Sequence, residues 1–321
     1  MSHATHTSAD DRSTREWVAL AVKVLRGFSR HDMTVSASAI SFLALFALFS
    51  AVSAFVAFYG LFADPGQLVE NMRQMQGFVP ADVFISTIGE MHSVSAHASA
   101  TLVVAGSFSL VVGLWCAQQG VATLMVALNV AYREHMTDGP WWHLLKSLMI
   151  AIGVIVGLFI ATLLAIGLPV YMRLTTGSSW LAEFMRAGGM AIAGTLLFFG
   201  LAALYRWVPD RRPPRWRWAG AGAALVVGFW TVASIVFSVF LAWSNSYTAM
   251  YGSLSGVVLL LTLTYVTVAT VLLGAEFNAQ LEYSTVEDTT TASAQPLGQR
   301  GAFVADHVDD ERADSDTASR P

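Results

Sequence analysis

WAGAGAALVVGFWTVASIVFSVFLAWSNSYTAMYGSLSGVVLLLTLTYVTVATVLLGA, the stretch from Trp218 to Ala275, contains no Asp, Glu, Lys, Arg or His. It gives water almost nothing charged to solvate, and it is too long for one buried helix. A membrane crossing needs about 20 mostly apolar residues. The stretch therefore reads as two crossings joined by a turn, Ser244 to Gly252, that contains Ser, Asn and Gly. Arg206, Arg211, Arg212, Arg215 and Arg217 lie just before it, and Glu276 closes it.

The remainder of the chain agrees. Its 321 residues are 55% hydrophobic and 12% charged, with a mean hydropathy of +0.56. A soluble domain carries about 25% charged residues. The fold class this implies is all-α, a polytopic membrane bundle. Six crossings are expected near residues 39–62, 101–131, 144–170, 187–207, 218–243 and 254–274. Before them, Trp17, Leu20, Ala21, Val24, Leu25 and Phe28 recur at helical spacing among Arg15, Lys23, Arg26 and Arg30. That pattern predicts an N-terminal helix over 14–30 lying in the membrane interface, and it fits a helix packed on the bundle equally well. Asp64-Pro65 is a stop-and-restart signal, and residues 65–98 read as two short amphipathic helices broken at Gly77 and Pro80. Residues 1–13 and the Thr-, Ser-, Ala- and Asp-rich residues 284–321 read as disordered tails. That leaves 14–283 as one membrane domain. Met1 to Asp32 lacks the basic-then-apolar order of a signal peptide, so the first crossing is expected to direct insertion.

Charge sets the orientation. With six crossings, both termini share a side with the second-to-third and fourth-to-fifth loops. That side holds 15 of the 18 Lys and Arg, and the other holds Arg73, Arg173 and Arg186. The positive-inside rule then puts both termini in the cytoplasm.

Catalytic chemistry is sparse. Cys116 is the only cysteine, which excludes an intramolecular disulfide and a Cys-based zinc site. The histidines show no HxHxDH or HExxH spacing, and no GxxxxGK[ST] occurs, so no metal, nucleotide or other cofactor is expected and no enzyme is implied. The crossings lack mid-membrane ionisable groups, which argues against a proton pump or an ion-coupled carrier. Glu276 is expected at the cytoplasmic end of the sixth crossing, paired with an Arg of the fourth-to-fifth loop. Side-chain amides are costly in hydrocarbon unless bonded. Gln118, Gln119 and Asn129 should therefore face the bundle interior or a wet cavity, with Tyr251, Tyr265 and Thr267 as further candidate lining. For the Thr hydroxyls, bonding back to their own helix is the simpler expectation. Small residues recur four apart at Gly153, Gly157, Ala161 and Ala165, and at Gly220, Ala224 and Gly228. Such faces let helices approach closely inside the bundle, a homo-oligomer seam being the alternative. The basic, aromatic loop Arg211 to Arg217 is expected to meet anionic lipid headgroups rather than nucleic acid.

The C-terminal half also carries a recognisable order of motifs. Leu204-Tyr205-Arg206-Trp207-Val208-Pro209 is followed by the basic loop, Gly220-Ala221 and Trp230. Then come Tyr251-Gly252-Ser253-Leu254, Tyr265, and Gly274-Ala275-Glu276-Phe277-Asn278-Ala279. This order and spacing resembles the YihY/BrkB family of bacterial inner-membrane proteins, and Ala127-Leu128-Asn129-Val130-Ala131-Tyr132 resembles the end of that family's second crossing. The resemblance covers roughly residues 17–281. The first crossing departs from the family pattern A-x-A-F-Y-A-x-x-S-x-x-P: Leu43, Ala47 and Ser50 mark the corresponding region, and its Tyr, Ser and Pro are missing. Leu263 stands where a Trp is usual. The resemblance implies a six-helix inner-membrane protein with cytoplasmic termini. It marks Tyr205, Arg206, Pro209, Gly252, Gly274, Glu276 and Asn278 as motif positions. Members of the family have carried the label ribonuclease BN, and others are associated with serum resistance or export of envelope lipids. With no nuclease metal site in the sequence, the expected function is non-enzymatic transport or export of an envelope lipid or lipid-linked molecule. A membrane scaffold is the alternative.

Overall fold

The computed structural model describes residues 14–62, 99–167, 170–171, 179–243, 254–285, 288–290 and 295–307. Among them eight α-helices follow in order: α1 (Thr14–Arg30), α2 (Met33–Phe62), α3 (Ser99–Ala131), α4 (Pro140–Thr162), α5 (Ser179–Trp207), α6 (Trp216–Trp243), α7 (Ser255–Tyr283) and the short α8 (Phe303–Asp306). The helices expected within 65–98, the turn at 244–252 and the far ends of both tails lie outside the described residues. Six helices are long and apolar enough to cross a membrane, over Met33–Phe58, Thr101–Ala131, Pro140–Gly167, Ala187–Trp207, Trp216–Val236 and Gly256–Tyr283. The last runs nine residues past its expected end. Glu276 and Glu282 do not stop it, because both are fully buried against protein partners and need no water.

An even number of crossings brings the chain ends and the loops after α3 and α5 to one end of the bundle, called here the basic end. Each crossing packs on its neighbours in the chain, and α7 closes back onto α2, so the six form a ring. The tightest seam is α2 against α3. Gly106, Gly113 and Gly120 on α3 face Ala57, Ser50 and Leu43 on α2, and both rows advance by seven residues. A seven-residue repeat keeps a seam aligned in a left-handed helix pair. Glycine is required there because a Cβ on Gly113 would stand only 2.9 Å from the Cβ of Ser50.

The small-residue faces picked out from the sequence do not serve this purpose. Gly153, Gly157 and Gly228 have nothing within 4 Å of an added Cβ, and Ala224 is exposed. Those positions are unpacked, whereas Gly220 of the same row meets Phe198 of α5 and Ala165 lies beside Gly189. The close approach of α6 to α7 is made on nearly the opposite side of the helix, at Gly222 against Gly274. At the end of α4, a π-helical turn over Leu163–Gly167 brings the Leu164 carbonyl onto Gly189 of α5, where a Cβ would collide with it.

Helix α1 is the N-terminal interfacial helix, and it satisfies both readings of its pattern. Leu20 and Val24 are buried with Trp218 and Leu281, while Trp17, Val18, Val22 and Leu25 remain exposed beside Arg15, Arg26 and Arg30. The expected disorder from Ser284 onward is not what the described residues show. Residues 288–290 and 295–307 form a strap on the basic end. Arg215 N–H donates to Thr289 O (2.8 Å), Arg212 N–H to Gly301 O (3.1 Å), and Phe303 N–H to Glu134 Oε1 (2.7 Å). The acidic side chains that make the segment look unfolded are used inside it. Asp306 accepts from Gly298, Arg300 and Gly301, and Asp288 from Thr290 and Gln295.

Candidate functional site

The bundle has two unlike ends. Its buried core lies at the basic end, built from Met33 and Ala37 (α2), Met125, Ala127, Leu128 and Ala131 (α3) with Tyr132 just after it, Ala202 and Tyr205 (α5), Ala223 and Val226 (α6), and Leu272, Ala275 and Ala279 (α7). Polar side chains lock this end. Asn278 accepts from Gly222 N–H (2.6 Å) and donates to Ala219 O (3.2 Å), tying the start of α6 to α7. Tyr205 Oη donates to Val271 O (2.7 Å), and a Cβ on Gly274 would lie 2.7 Å from that hydroxyl. Asn129 accepts from Asp210 N–H (2.9 Å) and donates to Met125 O (3.0 Å). Arg206 donates to Pro214 O and stacks over Trp216 at 4.9 Å, and Pro209 is buried.

At the centre of the lock is a buried ion pair. Arg211 donates to both carboxylate oxygens of Glu282, at 2.6 and 3.1 Å, and lies 4.0 Å above the Tyr132 ring. Burial works against the Arg211 charge, but the Glu282 carboxylate more than offsets it, so the guanidinium pKa is held above its ordinary value. Burial pushes the Tyr132 hydroxyl well up, with the Arg211 charge opposing, and its oxygen makes no hydrogen bond. Nearby, Lys146 bridges Asp210 (3.0 Å) and Asp138 (3.3 Å). Burial would raise the Asp210 pKa, but the Lys146 and Thr137 hydrogen bonds win and hold it below the usual carboxylate range.

Glu276 does not take the expected partner. An Arg of the fourth-to-fifth loop does pair with α7, but with Glu282, two turns further on. Glu276, fully buried, contacts His31 Nδ1 at 3.1 Å and accepts from Gln280 at 3.0 Å. Sequence reading missed both partnerships, because nothing local marks residues 71 or 245 positions apart as neighbours.

The far end is different. On α7 the row Leu254, Val257, Leu261, Tyr265, Val268, Leu272, Ala275, Ala279 lies on one face at helical spacing. It is exposed at Leu254 (63%), Val257 and Leu261 (38% each), partly buried at Tyr265 and Val268, and sealed at Leu272, Ala275 and Ala279 (0, 0 and 2%). On α3 the row Val103, Leu110, Leu114, Val121, Met125, Leu128 changes in the same direction. Every residue from Ile152 to Ile160 on α4 is exposed. Nine residues cover all sides of a helix more than twice, so the inner side of α4 is as unpacked as its outer side. Among the described residues the ring is therefore sealed at the basic end and opens as an apolar-walled vestibule toward the far end.

The polar residues singled out from the sequence do not gather in it. Gln118 is buried and donates to Ser147 on α4 (2.8 Å), and Asn129 is part of the lock. Gln119 is exposed, contrary to the expectation of an inward amide. Tyr265 packs at the edge of the core. Thr267 donates to Leu263 O (2.7 Å) and accepts from Trp230 Nε1 (3.0 Å). Thr262, Thr264 and Thr270 likewise bond back along α7. Tyr251 and Gly252 lie outside the described residues. No group of three or more His, Cys, Asp or Glu is placed to hold a metal among the described residues.

Six apolar crossings, an interfacial helix and a polar lock define a multi-pass integral membrane protein. The chain belongs to the family described as Virulence factor BrkB, which matches residues 24–298. It is 26% identical over 179 residues to a Bacillus subtilis protein named "Putative ribonuclease-like protein YfkH", covering 54% of this chain and 65% of that one. It is 38% identical over 82 residues to a "UPF0761 membrane protein" of Tolumonas auensis, covering 26% and 27%. The matched stretches thus span under two thirds of either relative. No solved structure matches the chain.

Proposed function

We propose that the protein moves an envelope lipid or lipid-linked molecule through or out of a bacterial inner membrane, without an enzymatic step and with its basic end in the cytoplasm. The observation that supports this reading is the vestibule. Its walls carry the apolar rows of α3 and α7, and Gln118, Asn129, Thr262, Thr264, Thr267 and Thr270 are bonded to protein rather than presented to a solute. A hydrophilic substrate would find no partners there, whereas an acyl chain needs none. Arg212, Arg215 and Arg217 on the basic end would meet anionic headgroups. The ribonuclease wording in the name of the Bacillus relative has no counterpart in a metal-holding cluster among the described residues.

Reconstitution tests it. Purified protein in liposomes should accelerate transbilayer movement of at least one bacterial envelope lipid class. If oriented, folded protein moves none of them, transport is wrong. The second reading, a scaffold, is favoured by the unpacked glycines at Gly153, Gly157 and Gly228. Crosslinking from those faces in cells should then recover a partner or a second copy, with no lipid movement in liposomes.

A further inference from the structure

Arg211 faces Glu282, and Lys146 sits between Asp210 and Asp138. Arg206 has no carboxylate partner among the described residues. It donates to the Pro214 carbonyl, which takes one of the five guanidinium hydrogens, and its Nε is covered without an acceptor. Its surroundings are aromatic instead. The guanidinium lies 4.9 Å from the centre of the Trp216 ring and 5.9 Å from that of Trp207. Trp216 in turn meets Trp207 edge to face at 5.5 Å and Phe199 at 6.4 Å. Three rings therefore run in series beside one cation.

The level and direction of these groups follow from their helices. The fourth crossing ends at Trp207 and the fifth begins at Trp216. Both indoles thus stand where hydrocarbon gives way to headgroups, the level at which tryptophan anchors a crossing. Phe199 comes eight residues before Trp207 on α5, about 12 Å deeper along the helix axis. All three rings are half-exposed. At this level the inner sides of α5 and α6 are taken by Ala202, Tyr205, Ala219 and Ala223, all sealed in the core. The open ring faces therefore point to the bilayer and not into the vestibule. An Arg stem at this depth carries its charge outward to the headgroups, and the bond to Pro214 O fixes where the fork ends.

We propose that Arg206, Trp207, Trp216 and Phe199 bind one anionic phospholipid from the leaflet at the basic end. The phosphate sits on the guanidinium, whose planar fork matches its oxygens, and an acyl chain lies along the rings toward Phe199. A soluble phosphate would leave the rings without a partner, and a neutral chain would leave the cation without one. A phospholipid answers both, because charge, interface and hydrocarbon follow one another in it in the order the site presents them. A guanidinium with no carboxylate beside it favours a lipid of net negative charge over one whose own ammonium already balances its phosphate. The site lies outside the ring, so it holds whatever the vestibule carries.

Native mass spectrometry of the full chain in detergent, titrated with phosphatidylglycerol or phosphatidylethanolamine, counts bound lipids one by one. The first phosphatidylglycerol should bind about fivefold more tightly than phosphatidylethanolamine, the effect of one Arg near a membrane surface. Arg206→Gln should abolish that preference. Trp216→Leu changes a half-exposed ring and leaves the charge, so it should weaken both lipids and keep the preference. The two variants read the two halves of the site separately, and the test survives if Arg206→Gln fails to fold. Glycerol phosphate, the headgroup without chains, should not displace the lipid. Equal binding of the two lipids to the wild type, an undiminished preference in folded Arg206→Gln, or undiminished binding in folded Trp216→Leu overturns the proposal. Displacement by glycerol phosphate overturns it too, by making this a site for soluble anions.

Discussion

The side chains of Arg211 and Glu282 are 1% and 0% exposed, and each charge is tolerable only because the other is there. Arg211→Ala leaves a buried carboxylate without a countercharge and should cost about 3–5 kcal/mol. The double change Arg211→Met with Glu282→Leu removes both charges and keeps the volume, and should recover most of that loss. Reversible unfolding in mixed micelles separates the two. A single variant as stable as the double would mean that the pair is not buried as a pair. Asn278 tests the lock from the neutral side. Asn278→Ala removes both side-chain bonds that tie α6 to α7, to Gly222 N–H and Ala219 O, and should cost about 1–3 kcal/mol by the same measurement. Sequence reading reached Asn278, Tyr205 and Gly274 through the resemblance, but not what they do. Their partners sit 56, 66 and more positions away, and the spacing of motifs along a chain says nothing about which motifs meet.

Elements were more legible than contacts. Hydropathy over a window of about 20 residues is a local property, so the six crossings could be placed from sequence to within a few residues at most of their ends. Which face of a crossing packs is not local. Glycines four apart mark a thin helix surface without saying that a neighbour uses it, and here Gly153 and Gly157 are unpacked while the row Gly106, Gly113, Gly120 makes the seam. The two rows should respond in opposite ways. Gly113→Leu drives a side chain into Ser50 of α2 and should cost about 1–3 kcal/mol or more through overpacking. A Cβ added at Gly157 meets nothing within 4 Å, so Gly157→Leu should be near neutral in a detergent-solubilised monomer. Equal effects would mean that the seam is not where the structure puts it. The strap reads as a tail in sequence because it carries few large apolar residues, whereas its described part is held by hydrogen bonds to its own acidic side chains. Burial would raise the Asp288 pKa, but hydrogen bonds from Gln295 and Thr290 win and hold it below the usual value of 3.8. A depressed carboxyl contributes stability above its unfolded value and loses it as pH falls through the folded one. The strap should therefore stay docked at neutral pH and loosen below about pH 3.8, seen as faster pepsin cleavage within 295–307. Glu134 adds an opposite trend at higher pH. Burial lifts its pKa, with the Phe303 N–H opposing, so the desolvation cost of ionising Glu134 takes away some stability as pH rises, although the Phe303 hydrogen bond itself favours the ionised form.

At the scale of the whole molecule, the ring is strong at one end only. Polar groups that bond across helices are costly to expose in hydrocarbon, and every such tie between crossings described above, except Gln118 to Ser147 and Trp230 to Thr267, lies in the basic half. Toward the far end the described rows on α3 and α7 are mostly apolar, and in lipid apolar side chains gain little by meeting one another, because acyl chains are as apolar as they are. Nothing chemical therefore draws the far halves together, and lipid can enter between them at little cost. The row on α7 makes this testable position by position. In a Cys116→Ala background, Leu261→Cys and Leu114→Cys should react readily with a membrane-soluble maleimide, and Leu272→Cys should be protected for as long as the lock holds. Adding Arg211→Ala should expose Leu272→Cys without changing the rate at Leu261→Cys. Stability should divide along the same line, with Leu272→Ala costing about 2–5 kcal/mol and Leu261→Ala well under that. Equal labelling at Leu261→Cys and Leu272→Cys in the intact lock would remove the vestibule, and with it the physical reason for placing a lipid inside the ring.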